Sequence, residues 1–339
     1  MNCINRIELP KLNGLTQYVQ NVSDFGTQIV ISTESIVQTY DYTSLEPIIQ
    51  YDGYTQPISG MLTKNQNFVS TSSLDGKIRI YDVRTGSPNP VNELVSPYPL
   101  LSFDISCDNM FVVAGSEQVD VNKKSSPKVS FAGKPFDSDD DVGIFLWDTR
   151  MANKEYAVFT ETHSNDVSQI KCHKQSNTKF MSGSTDGLVC IYDFETTLDE
   201  NDAMIYSSNM EISVQQIGYV GNGSEFFYCI TDMNTLSLWT NECTLVRDFK
   251  DLINEDPDKG PLIDYVVNCE FNGSDNNLYL TTGDISGNVD VFMVGIDNLS
   301  HLSRLSGGHS DIVRCIDYNF SRGTAISGGE DGLICLWSS

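Results

Sequence analysis

Basic side chains are scarce in this 339-residue chain: 21 Lys and Arg stand against 46 Asp and Glu, a formal net charge of −25. A field of that sign repels nucleic acid and anionic membranes and draws in cationic partners. Direct contact with nucleic acid or membrane is therefore not expected. No apolar run reaches the 18 residues of a membrane-spanning helix, and the opening MNCINRIELP has neither the basic start nor the greasy stretch of a secretory signal. A soluble intracellular protein, cytoplasmic or nuclear, is expected. The nine cysteines are odd in number and include no CxxC, as suits reduced thiols.

Motifs for catalysis or cofactors are equally thin. Of four histidines only His173 adjoins a cysteine, Cys172, and no second pair lies at zinc-ligand spacing. Gly221-Asn222-Gly223 lacks the third glycine and the lysine of a phosphate loop, so it reads as a hairpin. The run through Asp137, Asp139, Asp140 and Asp141 starts like a calcium loop. Gly143 falls one place late, however, and Asp148 stands where a chelating Glu is needed. A solvated acidic loop is the reading. No metal, cofactor or small-molecule substrate is expected, and no enzyme activity.

What the chain does have is repetition. Hydrophobic residues at 40% and charged residues at 20% support a globular chain throughout. SSLDGKIRIYD at 72–82, GSTDGLVCIYD at 183–193 and GGEDGLICLW at 328–337 align without gaps. Each is a strand end, an Asp-Gly turn and a second strand closing on an aromatic; Asp-Gly signals a hairpin because Gly takes positive φ without steric penalty. Tyr40, Tyr81, Trp147, Tyr192, Trp239, Phe292 and Trp337 are the closing aromatics of seven such units. Their period is about 40–45 residues once one insertion is discounted. That insertion, at about 116–141, is polar, carries Pro127 and Pro135, and falls between the second and third strands of the third unit. After Trp337 only Ser338 and Ser339 follow, leaving the last unit short of an outer strand. The alternating stretch Cys3–Leu9 suits that vacancy and would close the ring without an open sheet edge. The expectation is an all-β fold: one seven-bladed β-propeller over 1–339, closed by an N-terminal strand.

Two units carry more. His163 and His309 each precede an Asp-Gly turn by about twenty residues, and a Ser lies four residues before the turn Asp: Ser182 with Asp186, Ser327 with Asp331. A buried imidazole needs partners on both nitrogens, which a hydroxyl and a carboxylate supply. A catalytic Ser-His-Asp set is the competing reading. It fails on the surroundings, since GxSxG is absent and each Ser sits inside a strand of a recurring unit.

These segments, together with IFLWDTR at 144–150 and ETHSNDVSQIKCH at 161–173, resemble the WD-repeat (WD40) family across essentially the whole chain. The resemblance implies structural tetrads of His163, Ser182, Asp186 and Tyr192, and of His309, Ser327, Asp331 and Trp337. It also implies a non-enzymatic scaffold. Charge suggests the partner: a second acidic stretch, Asp248–Asp264, contains Glu255, Asp256 and Asp258, and a third is Leu198–Asp202. With Asp137, Asp139, Asp140 and Asp141 on the same face, Glu255, Asp256 and Asp258 are expected to bind basic proteins, ribosomal proteins and histones being abundant examples. The alternative is a propeller subunit of a larger complex that uses neutral or hydrophobic contacts, its charge serving solubility.

Overall fold

The alternation of apolar and polar residues around each Asp-Gly turn becomes a four-stranded meander, repeated seven times. The computed structural model describes residues 1–338 apart from 65, 66, 120–129, 136–141, 152, 153, 257 and 259. The blades span 21–51, 58–95, 100–159, 169–209, 214–251, 265–305 and 313–338, the last completed by residues 2–8. In the six blades whose register is described, every pairing is antiparallel. The fold is a seven-bladed β-propeller. Its chain forms two compact units, one of residues 1–71, 80–92 and 252–339, the other of 72–79 and 93–251.

Within the first unit the N-terminal strand, Asn2–Glu8, pairs with Leu333–Ser338 from Asn2 opposite Ser338 to Glu8 opposite Leu333. It takes the place of the outer strand that blade 7 lacks, as the alternation of Cys3–Leu9 suggested. Without it the edge of the third strand would offer unpaired N–H and C=O groups to other chains.

Each closing aromatic lies on the third strand of its blade. Tyr40, Tyr81, Trp147, Tyr192 and Trp337 are 2% exposed or less. Each such burial contributes on the order of 1.5–3 kcal/mol. In the second unit Phe180 stacks on Tyr192, with centroids 4.7 Å apart, and Phe227 on Trp239 at 6.2 Å. The turns follow from the same residues. Gly187, at φ +88°, donates its N–H to Ser184 O, and Gly332, at φ +74°, donates to Gly329 O. A side chain at either position would strain the turn.

The insertion in blade 3 begins and ends where Ser116 and Gly143 exchange hydrogen bonds, between the strands Phe111–Ser116 and Ile144–Asp148. Its described part is more than loop. Ser130–Phe131 pairs with Lys134–Pro135 across a tight turn in which Ala132 and Gly133 both have positive φ. Phe131, 1% exposed, meets Phe145 and Trp147 edge-on at 5.0 and 5.3 Å, while Ala132 N–H donates to Glu155. The hairpin is pinned to its own blade by an aromatic plug.

Candidate functional site

His163 belongs to the connection leading into blade 4, and His309 to the one leading into blade 7. In both, imidazole Nδ1 lies 3.1 Å from the turn carboxylate, Asp186 or Asp331, and Nε2 lies 2.7 Å from the hydroxyl of Ser182 or Ser327. An ionised carboxylate can only accept, which places a proton on Nδ1, while Nε2 meets the serine hydroxyl. Trp337 Nε1–H completes one chain by donating to Ser327 Oγ at 2.8 Å. In blade 4 Tyr192 occupies the tryptophan's place; burial pushes its hydroxyl well up, against the opposing effect of the Thr162 and Ser182 side chains.

Backbone groups share each carboxylate. Asp186 accepts from the N–H groups of Ser164 and Leu188, and Asp331 from those of Ser310 and Leu333. Burial acts to raise both carboxyls, but the histidine and these N–H donors outweigh it and hold both below the ordinary value. Asp, His and Ser stand in the order of a nucleophilic triad. Neither serine can act as one, because both are 0% exposed and Ser327 Oγ already receives the indole N–H. Burial pushes the thiols of Cys190 and Cys229 up to about 12, which keeps both in the un-ionised, weakly nucleophilic form.

Blades 2 and 6 pair a carboxylate near the turn with an arginine instead. The turn carboxylate of blade 2, Asp75, receives two nitrogens of Arg79 at 3.2 and 2.6 Å. In blade 6 Asp284 accepts from Arg304 at 2.7 Å and from Asn288 at 2.8 Å, and Arg304 also reaches Asp290 at 3.5 Å. Sequence reasoning missed both arginines. The signal was present for Arg79, a charged residue at the same strand parity as the buried Tyr81.

Glu200 corrects an expectation. The stretch Leu198–Asp202 reads as an exposed acidic loop, yet Glu200–Ala203 forms one helical turn capped by Asp199, with Glu200 5% exposed. Its carboxylate collects the N–H groups of Thr160, Glu161 and Thr162 and the Thr162 hydroxyl, at 2.5–2.9 Å. It therefore sets the approach to His163 rather than adding to the surface charge. Asp248 likewise lies within the strand Leu245–Asp251, not in a connecting loop.

The candidate binding residues are placed only in part. Asp137, Asp139, Asp140 and Asp141 lie outside the described residues. Glu255 and Asp258 are exposed and Asp256 is half-buried, in the connection between Leu245–Asp251 and Tyr265–Asn272. Asp256 accepts from Asp258 N–H at 3.1 Å.

Four-stranded blades, aromatic-closed third strands and His–Ser–Asp links at the turns define a β-propeller of the repeat type. The family model for the WD domain, G-beta repeat, matches residues 45–82, 154–193 and 300–338. Each match runs from about the outer strand of one blade through the third strand of the next, so the sequence repeat is offset by one strand from the blade. The chain is a WD40-repeat β-propeller. It is 24% identical over 309 residues to the WD repeat-containing protein 89 homolog of Dictyostelium discoideum, covering 90% of this chain and 77% of that one. WD repeat-containing protein GTS1 of Arabidopsis thaliana is 30% identical over 58% of the chain, and the match spans 53% of that protein. Histone-binding protein MSI1 of Saccharomyces cerevisiae is 25% identical over 52% of the chain and 40% of its own length. WD-repeat proteins act as protein-interaction scaffolds and are generally not catalytic.

Proposed function

We propose that this propeller is a non-enzymatic scaffold that holds basic protein partners on its acidic surface. The observation that carries the reading is the excess of 46 acidic over 21 basic side chains on a fold whose polar networks are consumed in structure. Asp137, Asp139, Asp140, Asp141, Glu255, Asp256 and Asp258 are its contact residues. Single exposed charges attract weakly, but clustered carboxylates raise the local potential, speed encounter and select Lys- and Arg-rich ligands. The histone-binding protein MSI1 of Saccharomyces cerevisiae, a relative by sequence, is consistent with a partner of that sign.

Recovery of partners from native lysate at low and at high salt tests the proposal. An electrostatic scaffold loses its partners as salt rises, because the Debye length shrinks from about 10 Å at 0.1 M to about 3 Å at 1 M. Salt-resistant recovery would favour the alternative, a complex subunit with neutral or hydrophobic contacts.

A further inference from the structure

A cleft of about 570 Å³ opens in the first unit, between the connection that follows the N-terminal strand and the turn after the second strand of blade 1. One wall is a two-residue hairpin. Leu12 and Leu15 exchange backbone hydrogen bonds at 3.0 and 2.9 Å across Asn13 and Gly14, both at positive φ. Asn-Gly is the residue pair this turn geometry favours. The connection is held from below, where Leu9 N–H donates to Gly332 O and Val19 N–H to Gly329 O, with Val19 wholly buried. The other wall is Thr33-Glu34-Ser35, in which Thr33 Oγ1 accepts from the N–H groups of Ser35 and Ile36.

Two properties of this cleft point to an occupant. Leu12, Leu15 and Tyr18 leave 45%, 73% and 47% of their surface in solvent, three large apolar side chains within seven residues. Apolar exposure concentrated in that way marks a contact site more often than a bare surface. Charge is the second property: Glu34 is the one charged residue in the lining, it is exposed, and it has no ion pair among the described residues. The remaining lining side chains include Thr16, Gln20 and Ser35, which are neutral hydrogen-bonding groups. Lys11 flanks the hairpin but does not line the cleft.

We propose that the cleft receives an arginine side chain of a basic partner segment, its guanidinium against the Glu34 carboxylate and over the Tyr18 ring, its stem along Leu15. Arginine fits better than lysine on three counts: its planar fork pairs two donors with one carboxylate, it stacks on an aromatic face, and it sheds water more readily. The cleft falls in the 300–1,000 Å³ range of pockets that bury a small ligand, enough for one long side chain and part of its neighbours. The inference rests on the reading that the partner is basic, and adds where and how one of its residues is gripped.

The test is fluorescence anisotropy on the full chain with three labelled twelve-residue peptides, alternating Gly with Arg, Lys or Ala. Glu34→Gln is expected to weaken the Arg peptide about tenfold, the scale of one charge-assisted contact. Tyr18→Ala is expected to weaken it several-fold and to abolish the preference for Arg over Lys. Both side chains are exposed, so melting curves should match the parent and serve as the folding control. A third variant, Glu255→Gln with Asp256→Asn and Asp258→Asn, separates the two readings. Loss of binding in that variant alone, with Glu34→Gln and Tyr18→Ala at parental affinity, overturns the cleft and keeps the acidic loops. Loss in the cleft variants alone supports the cleft and overturns the loops as the principal contact. No difference between the Arg and Ala peptides on the parent protein overturns both.

Discussion

Arg79 and Asp75 form a two-nitrogen ion pair, at 3.2 and 2.6 Å, with side chains 2% and 8% exposed. It occupies the role that His309 and Asp331 fill in blade 7 and His163 and Asp186 in blade 4. The turn aspartate is thus the constant and its cationic or imidazole partner the variable. A buried carboxylate left alone at such a turn would carry a large desolvation cost, which explains why each of these blades supplies a partner.

Arg79→Ala should therefore destabilise the fold by about 3–5 kcal/mol, since it strands a buried charge. The double change Arg79→Met with Asp75→Asn should recover a large part of that loss. Urea melts of the single and double variants measure both. Equal stability of the two would show that relieving the stranded Asp75 charge recovers nothing, and would overturn this account of the pair.

His309→Ala should cost about 1–3 kcal/mol by leaving Ser327 and Asp331 without their shared partner. His163→Ala should behave alike through Ser182 and Asp186. Thermal or urea unfolding is the measurement, and a parental melting point in either variant would show that the imidazole bridge contributes nothing.

The recurrence of Asp-Gly and of a closing aromatic was enough to read out seven blades, the placement of the insertion and the strand that completes blade 7. Both histidine links were legible for the same reason: hairpin turns fix their own residues locally, and the His–Ser–Asp spacing repeats. What escaped notice depends on side chains meeting across longer or irregular separations. Arg304 reaches back twenty residues from an outer strand to Asp284. Glu200 is drawn inward by three N–H groups some forty residues earlier. Composition counts both as surface charge, because nothing in a single sequence distinguishes a solvated Glu from one wrapped by backbone donors.

Acid should dissolve the histidine links from the aspartate side. Asp186 and Asp331 have folded-state values below the ordinary one, so each contributes stability that is present above the unfolded value and lost as pH falls through the folded one. Stability should fall between about pH 5 and the lowered folded values, and Asp331→Asn should flatten that slope. Urea midpoints from pH 6 downward provide the check; an unchanged slope in Asp331→Asn would remove the carboxylate from the acid response.

Deleting residues 1–8 should leave the edge of Leu333–Ser338 open and the blade 7 sheet three-stranded. The expected outcome is a lower melting temperature and concentration-dependent association, since an unpaired strand edge recruits other chains. Light scattering against concentration reads it directly. A monomeric product with a parental melting temperature would show that pairing by Asn2–Glu8 is dispensable.

Replacing Asp137, Asp139, Asp140, Asp141, Glu255, Asp256 and Asp258 with Asn or Gln tests the acidic scaffold. Glu255 and Asp258 are exposed, and the acceptor that Asp256 offers to the Asp258 N–H is kept by an asparagine carbonyl. The melting temperature is expected to stay near that of the parent. Affinity for a histone tail or a basic ribosomal protein is expected to drop, and its dependence on salt to flatten, because the removed carboxylates are those whose attraction the salt screens. On-rates should fall more than off-rates rise, as befits charges that steer encounter rather than lock the bound state. Parental affinity in the seven-residue variant would sink the proposal, and a large loss of melting temperature would make these loops part of the fold instead. If affinity persists but vanishes on adding Glu34→Gln, the cleft beside the Asn13-Gly14 turn carries the binding and the loops serve solubility.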